Sequence, residues 1–201
     1  EKYDVVHAYN STMNLFPMFA AKMAGVKARI SESLSMAAKG EGKTYVKYVL
    51  KKFSRFFCNY YMACGKDCGA WQFGEDMLTS GKIAIFKTAI NTEANAYNPE
   101  LRELTRQKFG WQDKVVYGFI GRFEMQKNPL FLIDIMAEVR KRQDNAQFVI
   151  IGAGDMEKQM LQRIEQTGIK DSVAWLGRRE DIQQFYNAFD ALLLPSWYER
   201  L

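Results

Sequence analysis

Along this chain, short apolar runs alternate with longer segments whose apolar residues recur at helical spacing. The runs read as strands at Tyr3–His7, Ala28–Ser31, Tyr60–Cys64, Lys82–Phe86, Lys114–Ile120, Gln147–Ile151, Val173–Leu176 and Ala191–Leu194. The periodic segments predict helices over Met13–Ala24, Thr44–Phe57, Lys66–Phe73, Pro99–Phe109, Pro129–Gln143, Met156–Gln166 and Asp181–Ala188. Several runs, such as "FVII" at 148–151, are apolar at every position, as strands of a parallel sheet covered on both faces must be. Strand–helix–strand order then gives an α/β class with right-handed crossovers. A boundary is expected near Gly110-Trp111-Gln112-Asp113, dividing the chain into 1–110 and 111–201.

Bulk properties narrow the picture. No apolar run approaches the roughly 20 residues that span a bilayer. The chain starts within a strand-like run and without a methionine, so the expectation is a piece of a longer protein. Cys58, Cys64 and Cys68 lack the paired spacing of a zinc site, and the single histidine, His7, is remote in sequence. Reduced thiols in a cytosolic protein are expected, with no metal site. Charge is uneven: residues 1–112 carry +6 and residues 113–201 carry −1. The basic half suggests an anionic partner.

The stretch "GFIGRFEMQKN" at 118–128 ends a strand on small residues and offers two cations, Arg122 and Lys127, before a helix opened by Asn128-Pro129. Ligands of open parallel sheets lie beyond the strand carboxyl ends. Gly118 and Gly121 allow a close backbone turn, and an N-capped helix adds unpaired N–H groups suited to phosphate. An Arg fork with a point-charge Lys makes a clamp for a diphosphate. The same spacing also fits a solvated Arg and Lys in an ordinary strand–helix loop. A second turn, "IIGAGDMEK", supplies Gly152 and Gly154, but Glu157 stands where a dinucleotide fingerprint needs its third glycine. A tight turn without a ligand explains it equally well.

In "GEGKTYVKYVLKKFSRFFCNYY", residues 40–61, an apolar stripe of Val46, Val49, Leu50, Phe53, Phe56 and Phe57 runs beside Lys43, Lys47 and Lys51. The three lysines suit an anionic membrane surface. The other reading is a helix with its stripe in the core and solvated lysines. No nucleic-acid-binding module accompanies it.

Three stretches together resemble the nucleotide-sugar half of glycosyltransferase family 4, retaining enzymes of the GT-B fold. They are "GRFEMQKNPLFLIDIMAEV", "FVIIGAGDMEKQM" and "VAWLGRREDIQQFYNAFDALLLPSWYER". The preceding part, from "YDVVHAYN" to "KTAINTEANAYN", resembles the latter part of the acceptor domain in exopolysaccharide and capsule members. The resemblance implies two Rossmann-like domains, both incomplete here. It implies that Arg122 and Lys127 bind the donor diphosphate and offset charge on the leaving group in place of a metal. Gly121, Gly152 and Gly154 would line the donor, Arg178 would meet the base through its main chain, and Glu199 would meet the transferred sugar. The second Glu of the family's E-x(7)-E motif would fall beyond Leu201. The sequence departs from the family at Lys87–Asn91, at "RISESLS", where relatives carry a His run, and at Arg200, where Gly is common. His7 therefore stays open between a strand-end role and a catalytic one.

The expectation is a metal-independent retaining glycosyltransferase without a cofactor, whose donor substrate is a nucleotide-diphosphate sugar. Its acceptor would be lipid-linked or a glycan, in polysaccharide biosynthesis. It would work in the cytoplasm, peripheral at the inner face of the plasma membrane, with no nucleic-acid partner. This piece alone is expected to be inactive. A GT-B-like nucleotide-sugar epimerase and a non-catalytic nucleotide-binding or membrane-docking protein are the alternatives.

Overall fold

The computed structural model describes residues 2–36, 44–87, 89–197 and 199. They form two compact α/β units, one up to Ile90 and one from Asn91 to Glu199. Among the described residues, no helix is long and apolar enough to cross a membrane.

In the first unit, β1 (Val5–Ala8), β2 (Ala28–Ser33), β3 (Tyr60–Ala63) and β4 (Ile83–Ile85) pair in that order, all parallel. The helices are α1 (Leu15–Met23), α2 (Thr44–Lys51), α3 (Lys66–Phe73) and α4 (Glu75–Thr79). Ala63, Phe73, Met77 and Ile83 make the buried core. The expected helix from Met13 is a 3₁₀ turn at Ser11–Asn14 followed by α1. Ser11 anchors that turn, because its hydroxyl accepts the N–H groups of Leu34 (3.3 Å) and Ser35 (3.2 Å) beyond β2. The helix expected to reach Phe57 stops at Lys51. Beyond it the backbone bonds tighten to i→i+3, and buried Ser54 donates its hydroxyl to Gln72 O at 2.9 Å. The three cysteines are unbridged, and burial pushes the Cys58 thiol pKa up.

The second unit contains α5 (Pro99–Phe109), β5 (Val115–Ile120), α6 (Pro129–Arg142) and β6 (Ala146–Ile151). It continues through α7 (Glu157–Thr167), β7 (Val173–Gly177), α8 (Ile182–Ala188) and β8 (Ala191–Leu192). Its strands are parallel, in the order β7-β6-β5-β8. The apolar strands bury both faces, as their sequences require. Phe119, Phe148 and Ile150 pack on one side with Leu132, Met136 and Met160 of α6 and α7. Val116, Val149 and Ile151 pack on the other with Phe185 and Ala188 of α8.

By packing, the division falls at Ile90/Asn91, and α5 joins the second unit instead of preceding a boundary at Gly110. The reason is electrostatic and lies outside the apolar pattern. Arg102 and Arg106 of α5 bond the two oxygens of Asp190 at 2.5 and 3.1 Å, and Val116 N–H donates to the same carboxylate at 2.7 Å. Arg106, buried, also donates to the Ala188 carbonyl at 2.9 Å and to that of Lys114. Burial pushes the Asp190 pKa up, but these hydrogen bonds outweigh it and hold the carboxyl below its ordinary range.

Two loops at the carboxyl ends of β5 and β6 are locked backbone to backbone. Phe123 N–H donates to Ala153 O and Met156 N–H to Phe123 O, both at 3.0 Å. A Cβ on Gly154 would lie 2.6 to 2.8 Å from three backbone atoms of Phe123, and one on Gly152 would lie 1.8 Å from Gly121 O. The two glycines are therefore required by this close approach of protein to protein. Gly168 is the control: at φ +70°, a Cβ there would meet nothing within 4 Å and would strain only the backbone. Gly154→Ala should cost at least about 2 kcal/mol through overpacking, against about 1 for Gly168→Ala. Urea unfolding of both variants checks this, and equal losses would refute the packing argument.

Candidate functional site

In the second unit the strand order reverses between β5 and β8, so the chain leaves these neighbours in divergent directions and opens a crevice at their carboxyl ends. The β5 loop carries Gly121, Arg122 and Lys127, and the segment after β8 carries Glu199. The crevice ends are tied together: Leu193 N–H donates to Gly118 O at 2.8 Å and Trp197 N–H to Gln126 O at 2.9 Å.

This topology brings together two of the expected site residues. Lys127 Nζ lies 2.6 and 2.8 Å from the two oxygens of Glu199, 72 positions away in the chain. The lysine side chain is 18% exposed and the glutamate 34%, so the pair sits partly shielded at the crevice rim. Lys127 ends a 3₁₀ turn, Met125–Lys127, which holds its backbone fixed. Arg122 points elsewhere: it pairs with Glu124 at 2.9 Å and is 61% exposed. An exposed pair of this kind is worth at most about 1 kcal/mol, so Arg122 is available to a stronger anion.

Asn128 departs from expectation. It occupies the position before α6, but its side chain makes no capping bond, and its backbone is left-handed at φ +50°. Its N–H instead closes the 3₁₀ turn on Met125 O at 3.0 Å. Gly152 and Gly154 form the wall of the loop pair, and their lack of side chains serves packing. At the end of β7, Arg178 is exposed, whereas Arg179 is committed to structure. Arg179 lies over the Phe185 ring at 5.1 Å and grips both oxygens of Asp181 at 2.7 and 2.6 Å. The sequence pattern did not separate these two arginines. It also missed Ser196, whose buried hydroxyl finds no hydrogen-bond partner among the described residues.

The first unit has its own cleft of about 700 Å³ beyond the ends of β1 and β2, lined by Tyr9, Ser11, Met13, Ser35, Lys47 and Trp71 among others. Beside it, His7 Nε2 meets Glu32 Oε2 at 2.9 Å, so His7 is the partner of a buried carboxylate across adjacent strands. Lys47 lines the cleft and Lys51 Nζ sits 5.1 Å over the Trp71 ring. Of the two lysines expected to face a membrane, Lys47 thus lines the cleft and Lys51 covers Trp71, while Val46, Val49, Phe53 and Phe56 of the apolar stripe are exposed. Lys43 lies outside the described residues. Among the described residues no three His, Cys, Asp or Glu side chains converge as metal ligands.

Known proteins resemble this chain in sequence and in fold. Residues 102–201 match the family "Glycosyl transferases group 1". EpsF of Bacillus subtilis (strain 168), a protein named as a glycosyltransferase, is 27% identical over 203 residues, 99% of this chain and 53% of its own length. The UDP-Gal:alpha-D-GlcNAc-diphosphoundecaprenol alpha-1,3-galactosyltransferase of Escherichia coli is 25% identical over 209 residues, again 99% and 53%. The crystal structure of Anabaena HepE in complex with UDP-glucose superposes with a TM-score of 0.81 at 19% identity, covering 98% of this chain and 54% of that one. The chain therefore spans about half the length of the curated relatives it matches. Both parallel-sheet units share the architecture of GT-B glycosyltransferases, and the stretch that holds Lys127 and Glu199 is similar to the group 1 glycosyl transferases.

Proposed function

We propose that the full-length protein transfers a sugar, with retention and without a metal, from a nucleoside-diphosphate donor to a lipid-linked or glycan acceptor of polysaccharide assembly. The observation that carries this is the meeting of Lys127 and Glu199 at the β5–β8 crevice. A cation for the leaving diphosphate and a carboxylate for the transferred sugar need to be neighbours, because the bond that breaks joins those two groups.

In this reading Lys127 and Arg122 exchange Glu199 and Glu124 for the diphosphate oxygens. The bond from the anomeric carbon to the phosphate oxygen breaks, and the acceptor oxygen bonds to that carbon from the same face. The departing phosphate takes the acceptor's proton, and the two cations stabilise the charge that grows on it. Glu199, released from Lys127, accepts hydrogen bonds from the sugar hydroxyls. Arg178 offers its main chain to the base at the end of β7, and Gly121, Gly152 and Gly154 form the wall against which the donor lies.

The E. coli relative's name specifies a UDP-sugar donor and a diphosphoundecaprenol acceptor, and HepE is described with UDP-glucose. These support a uridine donor and a polyprenyl-diphosphate acceptor for this protein too, acting from the cytoplasmic side. The matched relatives bear transferase names, which favours transfer over the epimerase and docking-protein alternatives.

In the full-length enzyme, Arg122→Ala and Lys127→Ala should each slow transfer at least about tenfold. Losing one charge-assisted contact costs roughly 1.5–3 kcal/mol, and tenfold in rate is about 1.4. Steady-state rates close to wild type in both variants would remove the diphosphate assignment. A second test concerns metal. With two cations serving the leaving group, transfer should survive EDTA, and loss of activity that manganese or magnesium restores would contradict the mechanism.

A further inference from the structure

The loop after β5 pairs its arginine with a glutamate two positions on, which has no task in transfer once the donor is bound. Glu124 Oε1 lies 2.9 Å from Arg122 Nη1. The residue between them sets both side chains. Phe123 is completely buried, with its N–H on Ala153 O and its carbonyl accepting Met156 N–H, both at 3.0 Å. Glu124 N–H donates to Arg122 O at 3.0 Å across a three-residue turn, and Glu124 O accepts Lys127 N–H at 2.9 Å. Glu124 is thus fixed between the two cations of the loop, with a backbone bond to each of their residues.

A carboxylate held this way is a weak partner that is always at hand. The pair is exposed, at 61% and 39% of the side chains, so a phosphate of higher charge displaces it. Its tether is only two residues long, which keeps it at high effective concentration beside the guanidinium whenever a bound anion loosens. Lys127 has a similar partner, with Glu199 on its ammonium at 2.6 and 2.8 Å. The empty crevice therefore rests with each cation matched to one carboxylate, and a departing anion returns both cations to these partners.

Donor and product meet that competition differently. In the transfer reading a bound donor sugar occupies Glu199. Once the sugar has gone to the acceptor, Glu199 is released toward Lys127 and Glu124 still stands beside Arg122. The nucleoside diphosphate then faces both carboxylates at once.

We infer, resting on the transfer reading, that Glu124 is a release carboxylate, which competes with the product diphosphate for Arg122 and speeds its departure from the crevice. Product release sets turnover in many enzymes, so such a competitor acts on rate without touching a reacting atom. Glu124 works through Arg122 and is a positioning residue.

The experiment measures binding and dissociation of uridine diphosphate, with inorganic pyrophosphate as a base-free probe, by calorimetry and stopped flow. It compares full-length wild type, Glu124→Gln and Arg122→Ala. Glu124→Gln removes the charge and keeps the shape. It should bind both probes about two- to fivefold more tightly, the range of an exposed ion pair, and the gain should lie in slower dissociation. Misfolding weakens binding and cannot produce this result. Glu124→Gln that binds the probes as wild type does, or more weakly, overturns the inference. A gain that comes only from faster association overturns it as well. Arg122→Ala separates this failure from failure of the transfer reading. If that variant binds the probes as tightly as wild type, or if wild type binds neither, the diphosphate assignment falls and the release role with it. If Arg122→Ala weakens binding while Glu124→Gln matches wild type, the release role alone is lost.

Discussion

The second unit depends on a near-contact of backbones. Gly152 and Gly154, at the carboxyl end of β6, lie so close to Gly121 and Phe123 that neither position has room for a side chain. That approach fuses two strand–helix loops into one wall and buries Phe123 completely beneath it. It thereby fixes where the 3₁₀ turn ending at Lys127 can stand. The glycines that invite a nucleotide reading thus act first on the protein itself. A ligand at this wall would meet backbone already ordered by hydrogen bonds, which lowers the entropy cost of holding it.

From that wall the site follows by topology. Parallel strands place their loops at one end, and the reversal of order between β5 and β8 sets Lys127 opposite Glu199. A lysine and a glutamate that satisfy each other at a crevice rim form a stable, nearly neutral resting arrangement. In the proposed reading, an incoming donor would replace each partner with a group of matching chemistry: phosphate for the carboxylate, and sugar hydroxyls for the ammonium's hydrogen bonds. The exchange keeps desolvation small, because neither charge is left without a hydrogen-bonding partner.

Much of this was legible in the residues. Uniformly apolar strands and helical periods gave the α/β class and nearly every element, because burial on both faces of a sheet leaves a pattern that local sequence records. The cations of the β5 loop were visible as well. What escaped was set by contacts between distant positions. Nothing local in "RELTRQKF" announces that Arg102 and Arg106 hold Asp190 and carry α5 into the second unit. Nor does spacing distinguish Arg178 from Arg179, since only the fold supplies the Phe185 ring and Asp181 to one of them. The helix at 44–51 shows the same limit. Which side of it meets the protein depends on Trp71, whose ring lies under Lys51, while Val46 and Val49 stay exposed.

The central claim is that Lys127 leaves Glu199 for a diphosphate in the β5–β8 crevice. A crystal structure of the full-length protein with a bound nucleoside diphosphate tests it most directly. The account predicts a phosphate oxygen within about 3 Å of Lys127 Nζ, with Glu199 turned from the ammonium toward the space the sugar would occupy. A diphosphate bound away from this crevice, with Lys127 still on both oxygens of Glu199, would contradict it.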